Sequence, residues 1–322
     1  MTTIVGVSLR RHNSTYSSAV EQPQRWSWDG DRARLWRDFD ATGLAWLHAP
    51  ETVAAVETDP HATATELLGE RPFRLRMRRL EMLPINRRGY ENSNIHALFH
   101  IDQDPYLPPP IQVLMCVRPA SQGGDSTFLD GWELAARLRE HDPALYRELF
   151  HTPRIIQFSN SHWFGPTLSV RLDNLLVIHG AVPPAADDHV GKAVLSRFVL
   201  CRPVKLHMTE GDVIVANNHR LLHGRTAFAD PGRLIIRLMI WLERPLTGEP
   251  GLLDEARLVA ARLEAQLAEQ PSWIQHRLGV FGAAGLAGPA FQHDFSRLPD
   301  TPDTQSPERY AELAAVLRRL SL

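Results

Sequence analysis

Apolar and polar positions repeat differently in three parts of the chain. In "DRARLWRDFDATGLAWLHAP" apolar residues recur at helical spacing as far as Gly43, and an apolar run over Leu44 to His48 follows; the pattern predicts a helix and then a strand. From about residue 70 to 245 the period shortens to two. "FRLRMRRLEM" sets Arg74, Arg76 and Arg78 on one side of a strand, and "IQVLMCVRP" is a continuous apolar run closed by Pro119, the pattern of a buried strand. "GGDSTFLDG" is a Gly-Gly turn into a short strand, "DNLLVIHG" and "GDVIVANN" are short strands between turn residues, and "GRLIIRLMIWLERP" is a longer one. A helical stretch interrupts them: Asp130 precedes Leu134, Leu138, Leu145 and Leu149, with a break near Pro143. Near the end, "GLLDEARLVAARLEAQLAE" and "SPERYAELAAVLRRL" are helical, joined by a Pro- and Gly-rich connector.

This order predicts a mainly β protein with flanking helices and suits a double-sheet core, a jelly roll (double-stranded β-helix) or a sandwich. Residues 1–245 are expected to form that domain, the first 65 or so as a mixed helix-strand flank, and residues 246–322 a helical appendage. Composition narrows the function classes. At 322 residues, 43% hydrophobic and 22% charged, the chain is globular. Its 35 basic and 37 acidic residues make no basic field for nucleic acid. No apolar run approaches the ~20 residues that span a membrane, and no signal-peptide pattern opens the chain. Two cysteines, Cys116 and Cys201, exclude a disulfide framework and a cysteine-rich zinc site. A cytoplasmic protein is expected.

Chemistry enters with "FHIDQDPYLPPP". If Phe99 to Gln103 is a strand, period two puts His100 and Asp102 on one face. Later, "TEGDVIVANNHRLLHGRTAFADPGRLIIRLMIWLE" brings His223 after a strand and a polar turn, then Arg233 and Arg237, four apart on one side of the next strand. Two arginines on one face of an apolar strand need anions, and a ligand carboxylate supplies one through a bidentate fork. Two histidines and one carboxylate on one face of an octahedral iron leave three positions open, which suits a 2-oxo acid and O2.

With these motifs in place the sequence resembles the Fe(II)- and 2-oxoglutarate-dependent dioxygenases of the taurine dioxygenase and clavaminate synthase superfamily. In wording it is most similar to the γ-butyrobetaine and trimethyllysine hydroxylases, through "FHIDQDPYLPPPIQVLMCVRP", "GGDSTFLDGWELAARL" and "GDVIVANNHRLLHGRTAF". The resemblance implies iron ligation by His100, Asp102 and His223. It implies that Arg233 holds the distal carboxylate of 2-oxoglutarate and that Ser126 assists it, with Thr127 the neighbouring hydroxyl. It implies that Arg237 touches an anionic group, on the substrate or, with the arginine roles exchanged, on the co-substrate; the spacing from His223 to Arg233 is short for the family. His219 stands where relatives often carry arginine, and residues 158–174 match no substrate motif. A carboxylate at Asp102 speaks against halogenation, since related halogenases have a small residue there. The activity implied is C–H hydroxylation of a small polar metabolite, an amino acid derivative or an intermediate of specialised (secondary) metabolism, with desaturation, epoxidation or cyclisation as variants.

Plainer readings stand beside these. The same ligands could hold zinc for hydrolysis, or the pocket could belong to a non-catalytic jelly-roll binding protein. His96 shares the parity of His100 and reads as structural. His219 and His223, four apart, could form a helical zinc pair, but "HRLLH" lacks the glutamate of HExxH. The arginines of "RPFRLRMRRLEM" read as a solvated strand face paired with Asp and Glu. Tyr106, close to the iron motif, and Trp163 are substrate-pocket candidates; Tyr90 and Phe164 read as packing. The partners expected are a small-molecule substrate, no nucleic acid, no membrane, and a second copy docked through the C-terminal helices.

Overall fold

The computed structural model describes residues 23–72, 74–83, 92–102, 108–158, 162–171, 174–243, 245–246, 248–278 and 307–320. Two sheets face each other. The larger has the order β1-β2-β12-β5-β14-β3, with β1 Arg25–Ser27, β2 Leu44–His48, β12 Asp212–Asn217, β5 Ile111–Arg118, β14 Leu234–Trp241 and β3 Arg74–Glu81. The smaller has the order β11-β6-β13-β4, with β11 Val204–Leu206, β6 Ser126–Asp130, β13 Leu221–Arg225 and β4 Ala97–His100. All these pairs are antiparallel except β1 with β2.

The continuous apolar runs follow from two-sided burial. On β5, Ile111, Val113 and Met115 face outward into a core with Leu35, Phe39, Val53 and Leu67 from helices α1 (Arg32–Thr42), α2 (Pro50–Ala55) and α3 (Pro60–Leu68). Leu114 and Cys116 face inward and meet Phe128 and Leu221 of the smaller sheet. Helices α1 and α3 are closed by local chemistry, an aspartate cap at the start and a glycine at the end. Asp31 caps α1 through the Arg34 amide, and Gly43 ends it at φ 79°. The helical stretch after β6 divides into α4 (Gly131–His141) and α5 (Pro143–His151). Asp142 ends the first and accepts from the Leu145 amide of the second, so the break expected near Pro143 is a change of cap.

The outer face of the smaller sheet carries a second core. Leu129 and Leu222 pack there with α4, α5, α6 (His189–Arg197) and the two hairpin ribbons β7 (Arg154–Gln157) with β8 (His162–Gly165) and β9 (Leu168–Arg171) with β10 (Asn174–Val177). Helix α7 (Pro250–Leu267) buries Leu252, Ala256 and Val259 in this core. Its last turns, Leu263 and Leu267, join Phe164, Ile274 of α8 (Ser272–Arg277) and Leu313 of α9 (Pro307–Leu317). Helix α7 therefore joins the outer core of the smaller sheet to the cluster it makes with α8 and α9. Among the described residues no helix is long and apolar enough to cross a membrane.

Candidate active site

Strand geometry brings the metal-ligand candidates together. His100 ends β4 and His223 lies opposite it on β13, a cross-strand pair with ring centroids 4.4 Å apart. The β4 ladder stops at His100, short of the strand expected to run to Gln103. Past it the Ile101 amide donates to the His179 carbonyl and the Asp102 amide donates to Asn218 Oδ1 at 2.8 Å. Asn218 also donates to the Asp102 carbonyl at 3.0 Å and the Pro109 carbonyl at 2.8 Å, which pins the backbone of the motif. Ligand atoms of His100, Asp102 and His223 all fall within 4.8 Å of one another, and no second such group of ligand side chains occurs among the described residues.

Their protonation suits a metal. His100 Nδ1–H donates to the Leu98 carbonyl at 2.7 Å, leaving Nε2 with its lone pair. Burial, reinforced by His223, pushes the His100 imidazole down to about 3. Burial works to raise the Asp102 carboxyl, but Arg237 and the two histidines outweigh it and hold it well below the usual carboxylate range. Two imidazoles and one carboxylate are the donor set of a facial triad, so the residues fit Fe(II).

The triad opens into a cavity of about 520 Å³, counted to its mouth, between the two sheets. Period two turns Ser126, His223 and Arg225 of the smaller sheet toward Gln112, Leu114 and Ile235 of the larger. Thr127 pairs with Gly224 on the opposite face and does not line the cavity, which corrects its candidacy. Arg233, Ile235 and Arg237 share the cavity side of β14 and the residue before it. Arg237 Nη1 donates to Asp102 Oδ1 at 2.6 Å, a buried ion pair, so its first partner is the metal-ligand carboxylate itself. Arg233 stands apart. It is 4% exposed, its Nη2 donates to the Gly124 carbonyl at 3.3 Å, and its Nη1 is buried with no hydrogen-bond partner. Arg225 and Arg233 both lie over the Phe228 ring, at 4.9 and 5.1 Å. Burial, then Arg225, push the Arg233 guanidinium down to about 10. The Gly123-Gly124 turn makes the room: both residues have positive φ, and a Cβ on Gly124 would come within 3.0 Å of Arg233 Nε.

Other candidates sit elsewhere. Trp163 is 2% exposed, donates to the Pro166 carbonyl and packs in the outer core, so it lies off the cavity and is corrected to a core residue. Tyr106 and Tyr90 lie outside the described residues. His219 occupies a turn, not a helix, and bonds the Pro108 carbonyl through Nε2, so the helical zinc pair does not form. In the basic stretch, Arg79 pairs with Glu57 and Glu81, while Arg74 lies over Trp241. Sequence reasoning missed Gln112, Asn218 and Arg225. The signal for Gln112 was a single polar residue inside a run otherwise apolar.

A jelly roll with a two-histidine, one-carboxylate centre between its sheets is the class these features define. The chain belongs to the family described as Taurine catabolism dioxygenase TauD, TfdA family, which matches residues 20–169 and 203–239, over half its length and every ligand named above. γ-Butyrobetaine dioxygenase of Pseudomonas sp. (strain AK-1) is 31% identical over 141 residues, 40% of this chain and 36% of that protein. The human γ-butyrobetaine dioxygenase is 26% identical over 155 residues, 40% of this chain and 39% of that one. The chain thus matches little more than a third of the length of these curated relatives. An asparagine oxygenase solved with Fe(II), (2S,3S)-3-hydroxyasparagine and succinate superposes with a TM-score of 0.51 at 14% identity, over 66% of this chain and 78% of that one, a likeness of fold.

Proposed function

We propose that the protein is an Fe(II)- and 2-oxoglutarate-dependent oxygenase that hydroxylates a C–H bond of a small polar metabolite, such as an amino acid derivative or natural-product intermediate. The observation that carries this reading is Arg233: a buried guanidinium with a partnerless Nη1, in the same cavity as the converged triad. A zinc hydrolase has no use for such a group, whereas a dicarboxylate co-substrate bound at the metal presents its far carboxylate to it. The fork of Arg233 would receive that carboxylate, with the Ser126 hydroxyl offered from the facing sheet. His100, Asp102 and His223 would hold the iron, which when bound supplies O2-dependent decarboxylation of 2-oxoglutarate to succinate and CO2 coupled to substrate oxidation. The chain's own work is to position both carboxylates of the co-substrate and to keep bulk water from a site walled by two sheets. Residues 1–245 would do this, with 246–322 an attached helical element.

A cytoplasmic setting belongs to the same proposal, supported by two buried thiols, Cys116 and Cys201, that stay unpaired. So does a homodimer through the C-terminal helices, supported by Leu258, which is 64% exposed on α7. Sedimentation of the Leu258→Glu variant tests it: a monomer beside a wild-type dimer supports the interface, and identical behaviour removes it.

The activity is tested by anaerobic titration of the apoprotein with Fe(II) and 2-oxoglutarate. A weak visible charge-transfer band, absent from His100→Ala, is the expected result. Tight zinc binding with no band on iron and oxo acid would overturn the oxygenase reading.

A further inference from the structure

Gln112 is 1% exposed in the middle of β5, and its Oε1 is buried without a hydrogen-bond partner among the described residues while its Nε2 is used twice, a costly placement for a primary amide that is only there to pack. Its Nε2 reaches across to the smaller sheet. It donates to Asp102 Oδ2 at 2.6 Å and lies 3.0 Å from His223 Nε2. The amide's orientation follows from charge. Turned over, its carbonyl oxygen would face the Asp102 carboxylate and an imidazole lone pair; as placed, two N–H groups meet two acceptors. His223 Nε2 then carries the lone pair and Nδ1 the proton, the tautomer a metal requires. Arg237, on the neighbouring strand, donates to the other Asp102 oxygen. The larger sheet therefore supplies one donor to each oxygen of this carboxylate, and Gln112 also reaches a histidine.

We infer that Gln112 is a positioning residue of the metal centre. Its carboxamide holds the Asp102 carboxylate and, in the metal-free chain, bridges it to the His223 Nε2 lone pair; a metal that takes that lone pair displaces the second bond, so the lasting role is the orientation of Asp102. The inference rests on the reading that the triad binds a divalent metal. Outer partners that orient ligands in this way change metal affinity by about 10–100-fold when removed.

The test uses Co(II) as probe on the metal-free full chain, with chelator competition for affinity. Gln112→Met keeps volume and removes the donors; affinity is expected to fall about 10–100-fold. Gln112→Asn keeps an amide but withdraws it by one methylene, and is expected to fall in the same direction, which covers the case in which the first variant does not fold. A purely structural glutamine would leave histidine tautomers alone. We therefore pair the titration with ¹⁵N-histidine NMR of the apoprotein, where wild type is expected to show His223 protonated on Nδ1 and the variants a mixture. Unchanged affinity and an unchanged tautomer in the folded variants would overturn the inference. A wild type that binds no cobalt would overturn the metal reading instead, and the tautomer measurement would still decide the role of Gln112.

Discussion

Arg233 shows how burial makes a residue's chemistry readable. An uncompensated guanidinium inside a protein costs several kcal/mol, and Arg233 has a carbonyl, a ring face and a second cation for company, with Asp125 acting only at a distance and no carboxylate bonded to it among the described residues. An anion that enters the cavity would offset that cost, so in the proposed function the residue would serve co-substrate affinity rather than the stability of the fold. Replacing it by leucine is expected to raise the dissociation constant for 2-oxoglutarate about 30- to 150-fold, as for the loss of about 2–3 kcal/mol of charge-assisted hydrogen bonding. Metal affinity should hold, and the apoprotein should melt no lower than wild type, because an unpaired buried charge has gone. Calorimetric titration with the oxo acid checks this. Equal affinities in the two proteins would place the anchor elsewhere, with Arg225 the next residue to test.

At the level of elements, the site depends on how closely β4 approaches β13. Gly224 sits between the ligand His223 and Arg225, where the pairing with β4 is irregular. A Cβ there would lie 2.6 Å from the Ala97 carbonyl and 3.0 Å from Thr127 Oγ1, with β4 on one side and β6 on the other. Gly224→Ala must push β4 outward and take His100 with it. A loss of about 1–3 kcal/mol is expected from overpacking, read as a lower urea midpoint, together with weaker metal binding; a variant as stable as wild type would mean that β4 yields freely. Elements of this kind were only partly legible in the sequence. Period two and buried runs located β3, β5, β12 and β14, and the Asp130 cap located α4, because those signals are local. The end of β4 was not legible, since it is set by Asn218 and by the His179 carbonyl, both distant in sequence. Nor was the face of β6 that looks inward: alternation separates Ser126 from Thr127 but does not say which one the other sheet will cover. Gln112 was hidden for the same reason, its meaning fixed only when β5 was placed opposite His223. The ligand triad was legible because its spacing lies within motifs; the donors that orient it were not, because they come from the facing sheet.

For the molecule as a whole, acid should be a sharp stressor, and the sign follows from three buried imidazoles. Burial pushes His179 and His219 each down to about 4, Arg154 adding to the effect at His179, and His100 falls to about 3. In the unfolded chain each titrates near 6.5. Between these values the unfolded state binds protons that the native state refuses, so stability is complete above about pH 6.5 and declines as pH falls toward 4. Each histidine contributes a slope of about 1.4 kcal/mol per pH unit in that window. The depressed Asp102 carboxyl acts in the same sense at lower pH, where its unfolded counterpart takes up a proton and it does not. Denaturant unfolding of the apoprotein at several pH values should therefore give a proton uptake close to three near pH 5. His219→Gln retains a donor for the Pro108 carbonyl that His219 Nε2 bonds at 2.8 Å, and should lower the uptake by one. A stability that stays level from pH 7 to 4 would show that these imidazoles reach water in the native protein, and a slope unchanged by His219→Gln would remove that residue from the account while leaving the other two. The cause lies in the packing: His100 is enclosed between the sheets, His179 is covered beside Phe198 and Arg154, and His219 is closed into a turn on the Pro108 carbonyl, so none of the three takes a proton without opening its surroundings.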